Sequence, residues 1–165
     1  MHHSTIRLVT VATAAALGAL SLGQPAAAQD AQAQAVYRDI EQTLGSLPGF
    51  FKQLPDTAVA GAWTEMKAFQ LNPKTELNGK TKELIGLAVA AQIPCQYCIY
   101  FHTAAAKANG ATDEEIKEAV AMAGVVRHWS TVLNGMQVDL AGFKRDTDTV
   151  LNAAAEKAKP ASRSQ

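Results

Sequence analysis

Residues 83–110 read ELIGLAVAAQIPCQYCIYFHTAAAKANG, and the fold follows from how this stretch divides. Leu84 to Ile93 is apolar on nearly every side, the pattern of a helix buried at the centre of a bundle. Pro94 opens a second helix, at a position where its fixed φ and missing N–H cost little. That helix runs to Asn109, and Gly110 is placed to end it as the C′ residue. Cys95, Cys98 and His102 all lie on it. At about 100° per residue they fall within a ~60° sector, so three reactive side chains share one face.

The same helical period runs outward in both directions. Upstream, Val36, Ile40, Leu44 and Leu47 recur at spacings of four and three before Pro48-Gly49. Asp56 then opens a stripe of Val59, Ala62, Trp63, Met66 and Phe69, closed by Asn72-Pro73. Downstream, Thr112-Asp-Glu-Glu115 has the capping-box pattern, followed by Ile116, Ala119, Val120 and Ala123 facing inward. Val125, Trp129, Val132, Leu133 and Met136 carry the stripe past Gly124. Leu140, Phe143, Thr147, Val150, Leu151 and Ala154 define a last amphipathic helix, and Lys157 to Gln165 is a polar tail. No segment alternates with period two, and no hairpin dipeptide separates β-branched runs. The expected fold class is all-α.

The 165 residues suffice for one domain with a real core. With 15 basic and 15 acidic side chains there is no net field to hold nucleic acid or an anionic membrane surface. Charged residues make up only 18% of the chain, below the usual quarter. That low charge density, together with the apolar Leu84–Ile93 segment, predicts burial against further copies of the chain.

Residues 1–28 read as a signal peptide. Arg7 precedes an uncharged run from Leu8 to Leu22, Gln24-Pro25 breaks it, and Ala26-Ala27-Ala28 supplies the small-x-small cleavage pattern. The run is 15 residues long, short of the ~20 that cross a bilayer, so no membrane span is expected. No cysteine sits at the cleavage point for a lipid anchor, and no Arg-Arg pair marks the twin-arginine route. The expected protein is exported, periplasmic or secreted, with residues 29–165 as its helical domain. Those residues retain two histidines, His102 and His128, and both cysteines.

The chemistry concentrates at Cys95-Gln-Tyr-Cys98. Unpaired N–H groups at a helix start and the helix dipole favour thiolate, and an imidazole one turn away can take or share the proton. Glu83, twelve residues before Cys95, is the only acid between Glu76 and Asp113. A carboxylate that begins an apolar helix needs a partner, and His102 is the candidate. A purely structural disulfide is the plain alternative. Closing a four-residue loop, however, yields only about 2 kcal/mol, against about 3 for fifteen residues. Cys-x2-Cys-x3-His could supply three metal ligands, with His128 or Glu83 as a fourth, but no zinc-finger or ribbon spacing is present and no metal is expected. Between the two thiols, Cys95 is nearer the helix dipole, worth about 0.3–1 kcal/mol, while Cys98 stands at i, i+4 to His102. A specific base outweighs a fraction of a macrodipole, which favours Cys98 as nucleophile.

Glu83, Cys95-x-x-Cys98-x-x-x-His102, Ala104-Ala105-Ala106 and Asn109-Gly110-Ala111 together resemble the signature of the AhpD-like alkylhydroperoxidases, within the carboxymuconolactone decarboxylase superfamily. The likeness covers about Leu77 to Val138. It implies an all-helical AhpD-like bundle that assembles into homotrimers or multiples of them. It also implies thiol-dependent reduction of hydroperoxides without a cofactor. Cys98 would be the attacking thiolate, Cys95 the resolving thiol, and Glu83 and His102 a proton relay. An outside thiol must then reduce the disulfide. The family's usual lipoyl-bearing donor is cytoplasmic, so export leaves the donor unknown.

One position departs from the pattern. The family's peroxidases carry a second histidine just before the second cysteine, where this chain has Tyr97. A phenol titrating near 10 is no base at neutral pH. Two other readings therefore stand beside the peroxidase: thiol–disulfide exchange without peroxide, and a non-enzymatic helical scaffold braced by the cysteine pair. The lactone decarboxylases proper lack the pair, so decarboxylation is not expected. Arg127-His128-Trp129 lies on an apolar stripe and reads as packing or subunit contact. Met66, Met122 and Met136 read as core.

Overall fold

The computed structural model describes residues 26–158. The expected leader falls almost entirely outside them, as does the tail beyond Ala158. Among the described residues there are six α-helices and no strand, so the all-α expectation holds. None of these helices is long and apolar enough to cross a membrane. They fall into two compact units, one ending at Thr64 and the other beginning at Glu65.

The first unit contains α1 (Ala26–Leu44) and α2 (Asp56–Glu65) up to Thr64. The buried face of α1 is Ala33, Tyr37 and Ile40, at spacings of four and three, whereas the expected Leu44 is exposed. Gly45 ends α1 in the left-handed region, with φ +79°. A 3-10 turn, Gly49–Gln53, brings Phe51 into the core, where it meets Trp63 edge-on at 5.7 Å. The Trp63 indole N–H donates to Asp39 Oδ2 at 2.6 Å, satisfying the one polar atom that ring buries.

The second unit opens with a π-helical turn, Met66–Gln70, closed by Leu71 N–H donating to the Met66 carbonyl at 2.9 Å. This turn breaks the expected 3.6-residue stripe. Phe69, expected inside, is exposed, and Gln70 is half-buried instead. Next come α3 (Gly79–Gln92), α4 (Gln96–Ala108), α5 (Asp113–Gly135) and α6 (Leu140–Ala158). Asn78 caps α3, its side-chain oxygen accepting from Thr81 N–H at 2.9 Å. α3 packs along both α4 and α5. Its buried residues are Lys82, Glu83, Leu87 and Ala90, while α4 and α5 bury the small residues Ala106 and Ala123.

The expectation of a helix buried on all sides holds for only part of α3. Ile85, Val89 and Ile93, one turn apart, stay exposed because α4 and α5 of a single chain cover only the opposite side. α6 likewise buries none of its side chains among the described residues. Val120 and Met122 of α5 and Met136 at its C-cap are exposed in the single chain, so the inward and core roles read for them are not fulfilled within one copy; Trp129, read as packing or subunit contact, is exposed as well.

Two helix ends follow their sequence signals. α4 closes with Gly110 at φ +83°, its N–H on the Lys107 carbonyl and that of Ala111 on the Ala106 carbonyl. At the start of α5 the capping box is complete: Glu115 N–H donates to Thr112 Oγ1 at 3.1 Å, and Thr112 N–H to Glu115 Oε2 at 2.8 Å. Lys80 Nζ also donates to Glu115 Oε1 at 2.7 Å, linking the first turns of α3 and α5. The Lys80 hydrogen bond first, and the Thr112 N–H second, hold the Glu115 carboxyl below its ordinary value of 4.5. With the folded pKa depressed, the stabilisation is complete above about pH 4.5 and fades as pH falls through the folded value. NMR titration of the Glu115 side chain should show the depressed midpoint, and Lys80→Met should return it toward 4.5.

Candidate active site

The site begins where α3 ends. Ile93 N–H still bonds to the Val89 carbonyl, and Cys95 N–H reaches back to the Ala90 carbonyl at 3.1 Å. With its N–H so used, Cys95 is extended (φ −87°, ψ 99°) and becomes the N-cap of α4. The expected start at Pro94 is therefore two residues early: Pro94 lies in the turn, and the helix begins at Gln96. Cys95 Sγ does the work usually done by a serine or aspartate oxygen, accepting the Cys98 N–H at 3.2 Å. The two cysteines form a disulfide across a Cα separation of 5.3 Å.

His102 stands one turn beyond Cys98 on the same helix, at the i, i+4 spacing that lets side chains meet. Its Nδ1 lies 2.7 Å from Glu83 Oε2. Glu83 is only 5% exposed and sits in the first part of α3. An ionised carboxylate can only accept, so Nδ1 carries the proton and Nε2 of a neutral ring keeps its lone pair. The four predicted site residues thus form two pairs where α3 and α4 adjoin: Glu83 and His102 in direct contact across the two helices, Cys95 and Cys98 bonded to each other at the start of α4.

Two further residues at this junction were not anticipated. Gln70 Nε2 donates to the other oxygen of Glu83, Oε1, at 3.2 Å. Gly86, one turn along α3 from Glu83, leaves the room that the imidazole occupies. A Cβ there would stand 2.5 Å from His102 Cε1 and 2.6 Å from Nδ1. A glycine inside a helix costs about 1 kcal/mol against alanine, and that anomaly was a readable signal. Gln70 gave no such signal, being thirteen residues from Glu83 and placed by the π turn.

Tyr97 is 89% exposed and offers nothing to the relay. His128 lies on α5 in edge-on contact with Trp129, ring centroids 5.4 Å apart. Among the described residues, no group of three or more His, Cys, Asp or Glu side chains is arranged to hold a metal ion.

Comparison with known proteins fits this geometry. Residues 57–139 match the Carboxymuconolactone decarboxylase family. A Paracoccus denitrificans protein described as "Uncharacterized protein 4 in cox locus" is 35% identical over 86 residues, 50% of this chain and 78% of that protein. The crystal structure of the alkylhydroperoxidase AhpD core from Rhodospirillum rubrum superposes with a TM-score of 0.60 at 26% identity, covering 75% of this chain and 94% of that one. The chain therefore belongs to the carboxymuconolactone decarboxylase family and has the AhpD-like all-helical fold.

Proposed function

We propose that this protein is an exported thiol peroxidase of the alkylhydroperoxidase type. The observation that carries the reading is the cysteine pair one turn from a histidine whose Nδ1 is held by a buried glutamate. In the reduced protein the Cys98 thiolate attacks the peroxide, the O–O bond breaks, and the alkoxide leaves with a proton supplied through His102. Cys98 becomes a sulfenic acid. The Cys95 sulfur then attacks Cys98 Sγ, the S–O bond breaks and water departs, leaving the disulfide. An outside dithiol closes the cycle: its first thiolate attacks Cys98 Sγ and the bonding pair passes to Cys95 Sγ, then its second thiol attacks the first sulfur of the resulting mixed disulfide, and Cys98 leaves as thiolate. The Cys98 N–H already points at that sulfur, so Cys95 is a good leaving group. One hydroperoxide and two thiols thus yield an alcohol, water and a disulfide.

The test is a kinetic panel of hydroperoxides and disulfide substrates with several dithiols on the processed protein. Peroxide consumption that depends on dithiol supports the peroxidase. Turnover of disulfides alone would replace it with an exchange enzyme, the reading favoured by the exposed Tyr97, whose phenol is no base at neutral pH. A reduction potential below about −300 mV would instead mark a stable brace.

The same proposal includes assembly. Ile85, Val89 and Ile93 on α3 and the open face of α6 are too apolar to stay in water. Light scattering at micromolar concentration should give a homotrimer or a multiple of it, and a monomer would refute this part.

A further inference from the structure

The sequence-derived relay of Cys98, His102 and Glu83 leaves one oxygen of Glu83 unaccounted for, and a buried carboxylate oxygen without a donor is costly. Gln70 supplies that donor, at 3.2 Å to Oε1, while Oε2 faces His102 Nδ1 at 2.7 Å. Two donors on two oxygens fix the plane of the carboxylate as well as its position.

Gln70 is itself held in place. It is the last residue of the Met66–Gln70 π turn. Lys82 Nζ donates to the Phe69 carbonyl at 2.8 Å and to the Asn72 carbonyl at 2.7 Å, on either side of Gln70 in the chain. The Lys82 ammonium is buried and also lies 5.6 Å from the Phe69 ring centre. Neighbouring residues of α3 therefore grip the same turn twice, Lys82 by its backbone and Glu83 through the Gln70 side chain. Burying an ammonium is expensive, and here it fixes the segment that carries Gln70. Single-turn π segments are frequent at functional sites.

We propose that Gln70 is a positioning residue, which orients the Glu83 carboxylate so that Oε2 holds His102 in its Nδ1–H tautomer. This rests on the relay described under the proposed function, but its spectroscopic signature does not require peroxide. Removing the amide donor frees Oε1 to rotate or to recruit water, and the imidazole is then no longer confined to one tautomer. Nε2 loses its fixed role as acceptor toward the thiol.

The experiment compares reduced parent protein with Gln70→Met, which keeps the bulk and removes the donor. Long-range 1H–15N NMR of the His102 ring should show a single Nδ1–H tautomer in the parent and a mixture in the variant. Peroxide kcat/KM should fall about tenfold, the size of one charge-assisted hydrogen bond. Should Gln70→Met not fold, Gln70→Asn gives the same reading, since it withdraws the amide by one methylene. A parent ring in the other tautomer, or a variant ring unchanged from the parent, overturns the proposal. If the parent consumes no peroxide yet the tautomer shifts on substitution, the peroxidase reading fails and the role of Gln70 stands.

Discussion

Replacing Cys98 by serine should abolish peroxide consumption, a loss of at least about a thousandfold, because a hydroxyl one turn from His102 is no substitute for a thiolate. Replacing Cys95 should do something different. The first equivalent of peroxide should still be consumed, after which the protein stalls with a sulfenic acid on Cys98 that a sulfenic-specific reagent captures. The comparison is needed because the two sulfurs have opposing claims. Cys95 is the N-cap and its sulfur accepts the Cys98 N–H, which favours thiolate there. Cys98 has the histidine one turn away. A retained burst in Cys98→Ser, with none in Cys95→Ser, would exchange their roles. Full steady-state activity in Cys98→Ser would end the mechanism altogether.

Gly86→Ala should have a large effect on stability, and its sign should depend on His102. The added Cβ would meet the imidazole at 2.5 to 2.9 Å, so the ring has to leave Glu83 or the helices have to part. Overpacking of this kind costs about 1–3 kcal/mol. A catalytic group displaced by about an ångström loses about a hundredfold in rate. In a His102→Ala background the obstacle is gone, and only the helix preference for alanine remains. There the same substitution should stabilise the protein by up to about 1 kcal/mol. Denaturant unfolding of the parent, both single variants and the double variant measures the reversal. Equal destabilisation in both backgrounds would mean that Gly86 makes room for something other than the imidazole.

Most helix ends and the order of the reactive residues along α4 were legible in the sequence. Helical period, capping box and glycine stop are local signals, set by backbone hydrogen bonding within a few residues. The ends at Thr112 and Gly110 could therefore be read directly. The i, i+4 spacing of Cys98 and His102 is equally local, since it needs only the pitch of a single helix, whereas Cys95 precedes that helix as its extended N-cap. Pairing Glu83 with His102 came from a different argument, the cost of leaving a buried carboxylate alone, and the 2.7 Å contact agrees with it.

Tertiary structure alone decided the rest. The start of α4 moved from Pro94 to Gln96 because the last carbonyls of α3 claim the Cys95 N–H, a competition between two helices that neither reveals alone. The exposure of Ile85, Val89 and Ile93 depends on which side of α3 its neighbours cover, and periodicity cannot distinguish apolar sides of one helix. Gly86 stands out in the sequence as a glycine inside a helix, but that it makes room for His102, and that Gln70 reaches Glu83, emerges only when α3, α4 and the π turn come together. Their roles rest on separations between side chains remote in sequence, and a local pattern holds no information about such distances.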